Sequence, residues 1–216
     1  MSHGVCHDIA LPAVGGIADL SHHHCRRSPN VPKILRAKAL EGMGRNGEAE
    51  TVLREATAAD SRSSEPCVAL GDLLLRRGAE GDALAWYEEA LQRDPDQYRA
   101  MNNIATLVAR RGFDLDRAAA LAARLHARYP NDPDVADTLG WTLFLQGKSE
   151  AALPLLKQAV AQKPDAVCRY HLGALLLKGG NQVAGRKELA AALRLSGAFY
   201  GAEKARGLLT GKGDKS

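Results

Sequence analysis

The chain has 216 residues, 45% hydrophobic, 25% charged and 5% aromatic, an ordinary globular composition of one or two domains. Ala (37 residues) and Leu (30) make up nearly a third of it, and such side chains lose little freedom in a helix, whereas strands favour β-branched and aromatic residues. A β-sandwich or barrel is thereby excluded, and the net charge of +4 is too small to mark a nucleic-acid binder.

Residues 1–29 match no regular pattern. Their longest apolar run, residues 9–20, is broken by Gly15, Gly16 and Asp19, short of the roughly 18 residues that cross a bilayer. Arg26 and Arg27 follow that run instead of preceding it, so the segment is not read as a secretory signal. The expected location is cytoplasmic, or periplasmic or envelope-associated if the true N-terminus differs. His3, Cys6, His7, His22, His23, His24 and Cys25 include ligand types for zinc or nickel. They do not form paired CxxC or HxxxH sets within a small fold, so no metal site is expected and the segment is read as a disordered tail. Cys6, Cys25, Cys67 and Cys168 are too dispersed for a disulfide framework and are read as reduced thiols.

From residue 30 onward a unit repeats. Leu70-Gly71, Ile104-Ala105, Leu139-Gly140 and Leu172-Gly173 are spaced by 34, 35 and 33 residues. After each comes a small residue (Ala83, Ala118, Ala152, Gly185), then Tyr87, Ala122, Leu156 or Leu189, then Ala90, Leu125, Ala159 or Ala192. Pro95, Pro130 and Pro164 close the first three units. Apolar residues recur at helical spacing, and glycine breaks the pattern mid-unit at Gly78, Gly112, Gly147 and Gly179-Gly180, so each unit reads as two helices. Asp132 is placed to cap a helix with Pro133 at its first position. Pro154 falls inside the second helix of its unit; with Ser149 as the cap it would lie little more than a turn inside and forfeit one hydrogen bond.

Three glycines at one repeat position (Gly71, Gly140, Gly173) each cost about 1 kcal/mol relative to Ala in a helix interior. Close crossing of the two helices, with Gly or Ala of one facing Ala or Gly of the other, is the expected compensation. Residues 198–209 carry Phe199, Ala202, Ala205, Leu208 and Leu209 at helical spacing and read as a capping helix.

The order Leu-Gly, small residue, aromatic or Leu, Ala, Pro at this period resembles the tetratricopeptide repeat (TPR). Residues 64–97 match best, followed by 98–132, 133–165 and 166–199. A degenerate first unit at about 30–63 keeps Ala37, Leu40, Gly44, Ala49, Leu53 and Ala56, with Arg36 at the usual leucine. The resemblance implies an all-α, right-handed superhelical solenoid of antiparallel helix pairs over residues 30–199, followed by a capping helix and flexible tail at 200–216. More narrowly, Asp137-Thr-Leu-Gly-Trp141, Arg169-Tyr-His-Leu-Gly173 and residues 197–209 resemble the C-terminal repeats of bacterial TPR proteins associated with exosortase and exopolysaccharide systems, which are generally much longer and exported.

The family's usual groove positions fall on Arg99, Asn102 and Thr106, then Asp137, Trp141 and Phe144, then Tyr170 and His171. By resemblance these form a concave surface for a protein or peptide partner. The Asn102-Asn103 pair is suited to a peptide backbone, and Trp141 with Tyr170 to an apolar anchor. Trp141 also directly follows a packing pair, which suits a place between hairpins; Tyr170 and Phe144 equally suit the core, and the two asparagines a helix surface. The Lys and Asn positions of the family's carboxylate-binding clamp are not reproduced. No catalytic constellation or phosphate loop is present in the sequence, so neither an enzyme nor a cofactor is expected, and His126 and Cys67 read as structural. An RNA-binding helical repeat is disfavoured because Arg99 is matched by Asp134 and Val167 in the next units. A component of an exopolysaccharide or envelope export assembly is the other alternative.

Overall fold

The computed structural model describes residues 30–210. Within them are eleven helices and no strand: α1 (Val31–Gly42), α2 (Asn46–Ala59), α3 (Glu65–Arg76), α4 (Glu80–Arg93), α5 (Tyr98–Arg111), α6 (Leu115–Arg128), α7 (Pro133–Leu145), α8 (Ser149–Gln162), α9 (Ala166–Lys178), α10 (Gln182–Leu195) and α11 (Ala202–Thr210). The histidine and cysteine cluster at the N-terminus and the tail after Thr210 lie outside the described residues.

Consecutive helices pair as hairpins, α1 with α2 through α9 with α10, and each hairpin packs on the next. One glycine in each hairpin turn takes a left-handed conformation: Gly44, Gly78, Gly112, Gly147 and Gly180, with φ between 68° and 83°. Only glycine adopts this region without a steric cost, which is why the mid-unit breaks carry it. At the junctions between hairpins, Asp132 accepts from the main-chain N–H groups of Asp134 and Val135 at 2.9 and 3.3 Å, with Pro133 opening α7. Asp165 does the same for α9 through Cys168 N–H at 2.9 Å. These bonds satisfy donors that a helix start leaves orphaned. At α8 the cap residue is Lys148, and Ser149 is already helical. Pro154 therefore stands in the second turn, where the helix continues through it.

Within a hairpin, each packing glycine of the first helix meets a bulky side chain of the second, where the sequence pattern predicts a small one. A Cβ on Gly71 would lie 2.6 Å from the Tyr87 ring, and one on Gly140 or Gly173 would lie 2.9 Å from Leu156 or Leu189. The glycine makes room for a bulky side chain laid across it, so that a ring or branched group fills the crossing without a void. Gly173 alone also meets a glycine, with its Cβ direction 3.1 Å from the Gly185 carbonyl oxygen. Tyr87, Leu156 and Leu189 are completely buried.

Between hairpins, polar side chains reach back by about one repeat. Arg93 donates to the carbonyls of Thr57, Asp60 and Ser63 at 3.2–3.3 Å. Gln158 donates to the Pro130 carbonyl at 2.7 Å, and the Gln97 amide to the Glu65 carboxylate at 2.9 Å. Each bond satisfies a loop carbonyl or carboxylate of the preceding unit, so stability accumulates through neighbour interfaces.

The C-terminal cap is shorter than the pattern suggested. Helix α11 begins at Ala202, and residues 197–201 form a non-helical strap before it. Ser196 Oγ accepts from Ala198 N–H at 3.2 Å and donates to the Ala198 carbonyl at 3.0 Å, and Gly201 takes φ 93°. A local turn and a left-handed glycine together stop the helix from starting earlier, although Phe199 continues its apolar spacing.

Candidate functional site

The odd-numbered helices form the inner layer of the stack: α5 touches α7 and α7 touches α9, with no comparable contact between successive even-numbered helices among the described residues. The spacings 99, 102, 106 on α5 and 137, 141, 144 on α7 keep each set on one helix face. This inner face has a polar half and an aromatic half.

In the polar half, Asp72 on α3 organises its neighbours. The Tyr87 hydroxyl and the Asn103 amide donate to Asp72 Oδ1 at 2.8 and 3.1 Å, and Arg99 pairs with the other oxygen. Burial and the adjacent Asp72 carboxylate both push the Tyr87 phenol well above its ordinary pKa, so it stays a donor. Asn103, not Asn102, is thus the amide tied into the network. The Asn102 side-chain oxygen is buried with no hydrogen-bond partner. Thr138 donates its hydroxyl proton to the Asp134 carbonyl at 2.8 Å, so in the 3.4 Å contact between the two hydroxyls Thr106 is the donor. Beside Asp72 and Arg99 opens a cleft of about 160 Å3 that also reaches Lys38, Glu41 and Arg76.

In the aromatic half, Trp141 stacks on His171 with ring centres 4.0 Å apart and planes 15° apart, and lies 5.2 Å from Phe144 and 5.5 Å from Tyr170. His171 Nδ1 lies 2.9 and 3.0 Å from the two Asp137 carboxylate oxygens. An ionised carboxylate only accepts, so Nδ1 carries a proton. All five side chains are buried, Trp141 and Phe144 at 8% exposure and Tyr170 at 3%. Burial pushes the Tyr170 phenol up to about 12. Trp141 therefore packs between adjacent hairpins, and Tyr170 and Phe144 belong to the same core cluster. The indole Nε1 of Trp141 and the Nε2 of His171 are buried without partners.

The strap meets this cluster at Tyr170. The Phe199 ring centre is 6.0 Å from that of Tyr170. The Arg110 guanidinium, at the end of α5 and paired with Glu80 at 2.9 Å, sits 4.2 Å from the Tyr200 ring centre. The Tyr200 hydroxyl reaches the Arg110 carbonyl at 3.4 Å. The structure therefore joins Arg99 to Asp72, brings Asp137, Trp141, Phe144 and Tyr170 into one cluster with His171, and leaves Asn102 and Thr106 at the border between the halves. Sequence reading passed over Asp72, Arg110 and Tyr200. Asp72 follows the packing glycine directly, as Trp141 does in its own unit, which is a usable signal; Arg110 and Tyr200 share no repeat register.

Cys67 and Cys168 are buried free thiols, and burial pushes Cys67 up to about 11 and Cys168 higher still. Both are unsuited to nucleophilic work. No described helix is long and apolar enough to cross a membrane.

The family model of the tetratricopeptide repeat matches residues 34–98 and 69–133, and that of anaphase-promoting complex, cyclosome, subunit 3 matches residues 111–191. A TPR repeat-containing protein of Pseudomonas aeruginosa is 34% identical over 83 residues, which is 38% of this chain but 14% of that relative's length. Among solved structures, the APC/C hetero-tetramer Cut9–Hcn1 superposes with a TM-score of 0.70 at 16% identity, over 88% of this chain and 38% of that one. YrrB, described as a TPR protein with an unusual peptide-binding site, gives 0.61 at 19% identity over 82% and 91%. At these identities the structural likeness speaks for the fold, and with the repeated glycine turns, the crossings at Gly71, Gly140 and Gly173 and the matching family models, the chain belongs to the tetratricopeptide-repeat proteins.

Proposed function

We propose that this protein is a non-catalytic scaffold that holds a protein or peptide partner along the inner face of its solenoid, with the open polar half as the contact region. TPR proteins in general are scaffolds that bind protein or peptide partners, and YrrB is described as having an unusual peptide-binding site. The observation that carries the reading is the cleft beside Asp72 and Arg99, which also presents Lys38, Glu41 and Arg76. A peptide suits the site better than a polyanion, because the cations Arg99 and Arg110 are already paired with Asp72 and Glu80; polyanion binding draws on basic charge free to meet phosphates.

The test is recovery of partners from native extract by three equally folded proteins: wild type, Arg99→Ala with Asn102→Ala, and Lys157→Glu on the exposed side of α8. Wild type and the Lys157 variant retain a common set that the groove variant loses. Equal recovery by all three proteins would end the groove reading.

A further inference from the structure

We propose that the aromatic half of the groove is the receptor for a turn-forming partner segment bearing two adjacent aromatic residues, and that residues 197–201 fill this place in cis. The inference rests on the groove reading above and names the chemistry of the partner.

The strap is built as a ligand would be. Its sequence, Gly-Ala-Phe-Tyr-Gly, is non-helical between two helices, and its two aromatic neighbours engage different parts of the inner face. Phe199 packs toward Tyr170 on α9, while Tyr200 reaches Arg110 on α5, 90 residues earlier in the chain. The α7 cluster of Trp141 and Phe144 belongs to the helix between those two. At the far end, Gly201 lies so flat against Tyr170 that a Cβ there would fall 2.4 Å from the ring. A main chain that approaches a ring this closely, with a left-handed glycine to permit it, lets a peptide turn seat itself on an aromatic surface.

The same contacts are easily displaced. Phe199 and Tyr200 remain half-buried, and the Tyr200 hydroxyl bond at 3.4 Å is long for an O–H donor. Two hydrogen-bonding groups of the cluster, Trp141 Nε1 and His171 Nε2, have no partner while the strap is in place. Trp141 Nε1 is a donor that a partner's main-chain carbonyl would meet, and His171 Nε2, in a neutral ring protonated on Nδ1, is an acceptor for a partner's N–H or hydroxyl; the cis segment supplies neither. The strap wins by being tethered: a segment on a short linker competes at an effective concentration on the order of 1 mM, so a free segment of equal quality is excluded until the strap lifts.

The experiment uses the full chain and a fluorescein-labelled, amidated Gly-Ala-Phe-Tyr-Gly peptide as the probe. Three proteins are titrated: wild type, Phe199→Ala with Tyr200→Ala, and Gly201→Ala, which lifts the strap while keeping its aromatics. All three carry Trp86→Phe, leaving Trp141 as the emitting indole. Removing the cis competitor raises apparent affinity by the inverse of the fraction open, expected at about ten-fold or more, and both opened variants bind the peptide with a shift in Trp141 emission. Gly201→Ala serves alone if the double variant melts early. The proposal is overturned if neither opened variant binds better than wild type, if binding leaves Trp141 emission unchanged, or if the opened variants sediment as dimers that exchange their straps. Loss of partners by the Arg99 and Asn102 variant, together with any of these results, would leave the groove reading standing and remove this inference alone.

Discussion

His171 Nδ1 lies 2.9 Å from an Asp137 carboxylate oxygen, and the Trp141 indole stacks on the same imidazole at 4.0 Å. The two polar side chains come from neighbouring hairpins and are both buried, at 6% and 12% side-chain exposure. They therefore lock α7 against α9 only as a pair. Replacing His171 with Phe strands a buried carboxylate, with an expected loss of about 3 kcal/mol. Exchanging both, Asp137→Leu with His171→Phe, removes the stranded charge and costs distinctly less than the sum of the single changes. Urea midpoints of the four proteins in the cycle decide this; strictly additive losses would mean that the contact carries no coupling.

The helix crossings give a second expectation, in which one substitution has opposite signs at two sites. Gly71→Ala places a methyl group 2.6 Å from the Tyr87 ring. That ring is fully buried and anchored to Asp72, so it has no room to yield, and overpacking is expected to cost about 1–3 kcal/mol. Gly140→Leu, which drives a larger side chain into Leu156, falls in the same range or above. Gly81→Ala in the first turn of α4 meets nothing within 4 Å and gains up to about 1 kcal/mol from reduced backbone freedom in the unfolded chain. Thermal unfolding of the three variants reads the contrast directly.

Alkaline pH supplies a third. Burial raises the folded-state pKa of Tyr170 to about 12, and burial together with Asp72 raises that of Tyr87 further; an unfolded tyrosine titrates near 10. Above about pH 10 the unfolded chain releases phenolic protons that the folded chain still holds. The sign follows: stability is intact below about pH 10 and falls as pH rises toward 12, by roughly 1 kcal/mol per pH unit for each such tyrosine. Melting temperatures from pH 8 to 11.5 are expected to decline with this onset, and Tyr170→Phe to flatten the decline. An equal slope in the variant would place the titration elsewhere.

Much of this was legible in the residues themselves. The glycines at 44, 78, 112, 147 and 180 announced the hairpin turns, because only one residue type reaches a left-handed backbone freely. The small residues at 71, 105, 140 and 173 announced the crossings, since an uncompensated helical glycine is costly. The same register placed Arg99, Asn102, Thr106, Asp137, Trp141, Phe144 and Tyr170 on one side of the stack. Periodicity located these positions but did not say what each would touch. Gly71 faces the Tyr87 ring and not a small residue, and the helical spacing of Phe199 continued into a segment that Ser196 and Gly201 turn away from helix.

The sequence by itself therefore determined the helical hairpins and their repeat, because these follow from local backbone preference and a repeated register; the groove positions followed from the resemblance to the tetratricopeptide repeat. Only the tertiary structure decided what the strap touches on the inner face. Arg110 meets Tyr200 across 90 residues, a separation that belongs to no repeat, and the contact forms because the accumulated geometry of the intervening hairpins brings the strap back over the inner face. No local rule encodes that return; it is a property of the stack.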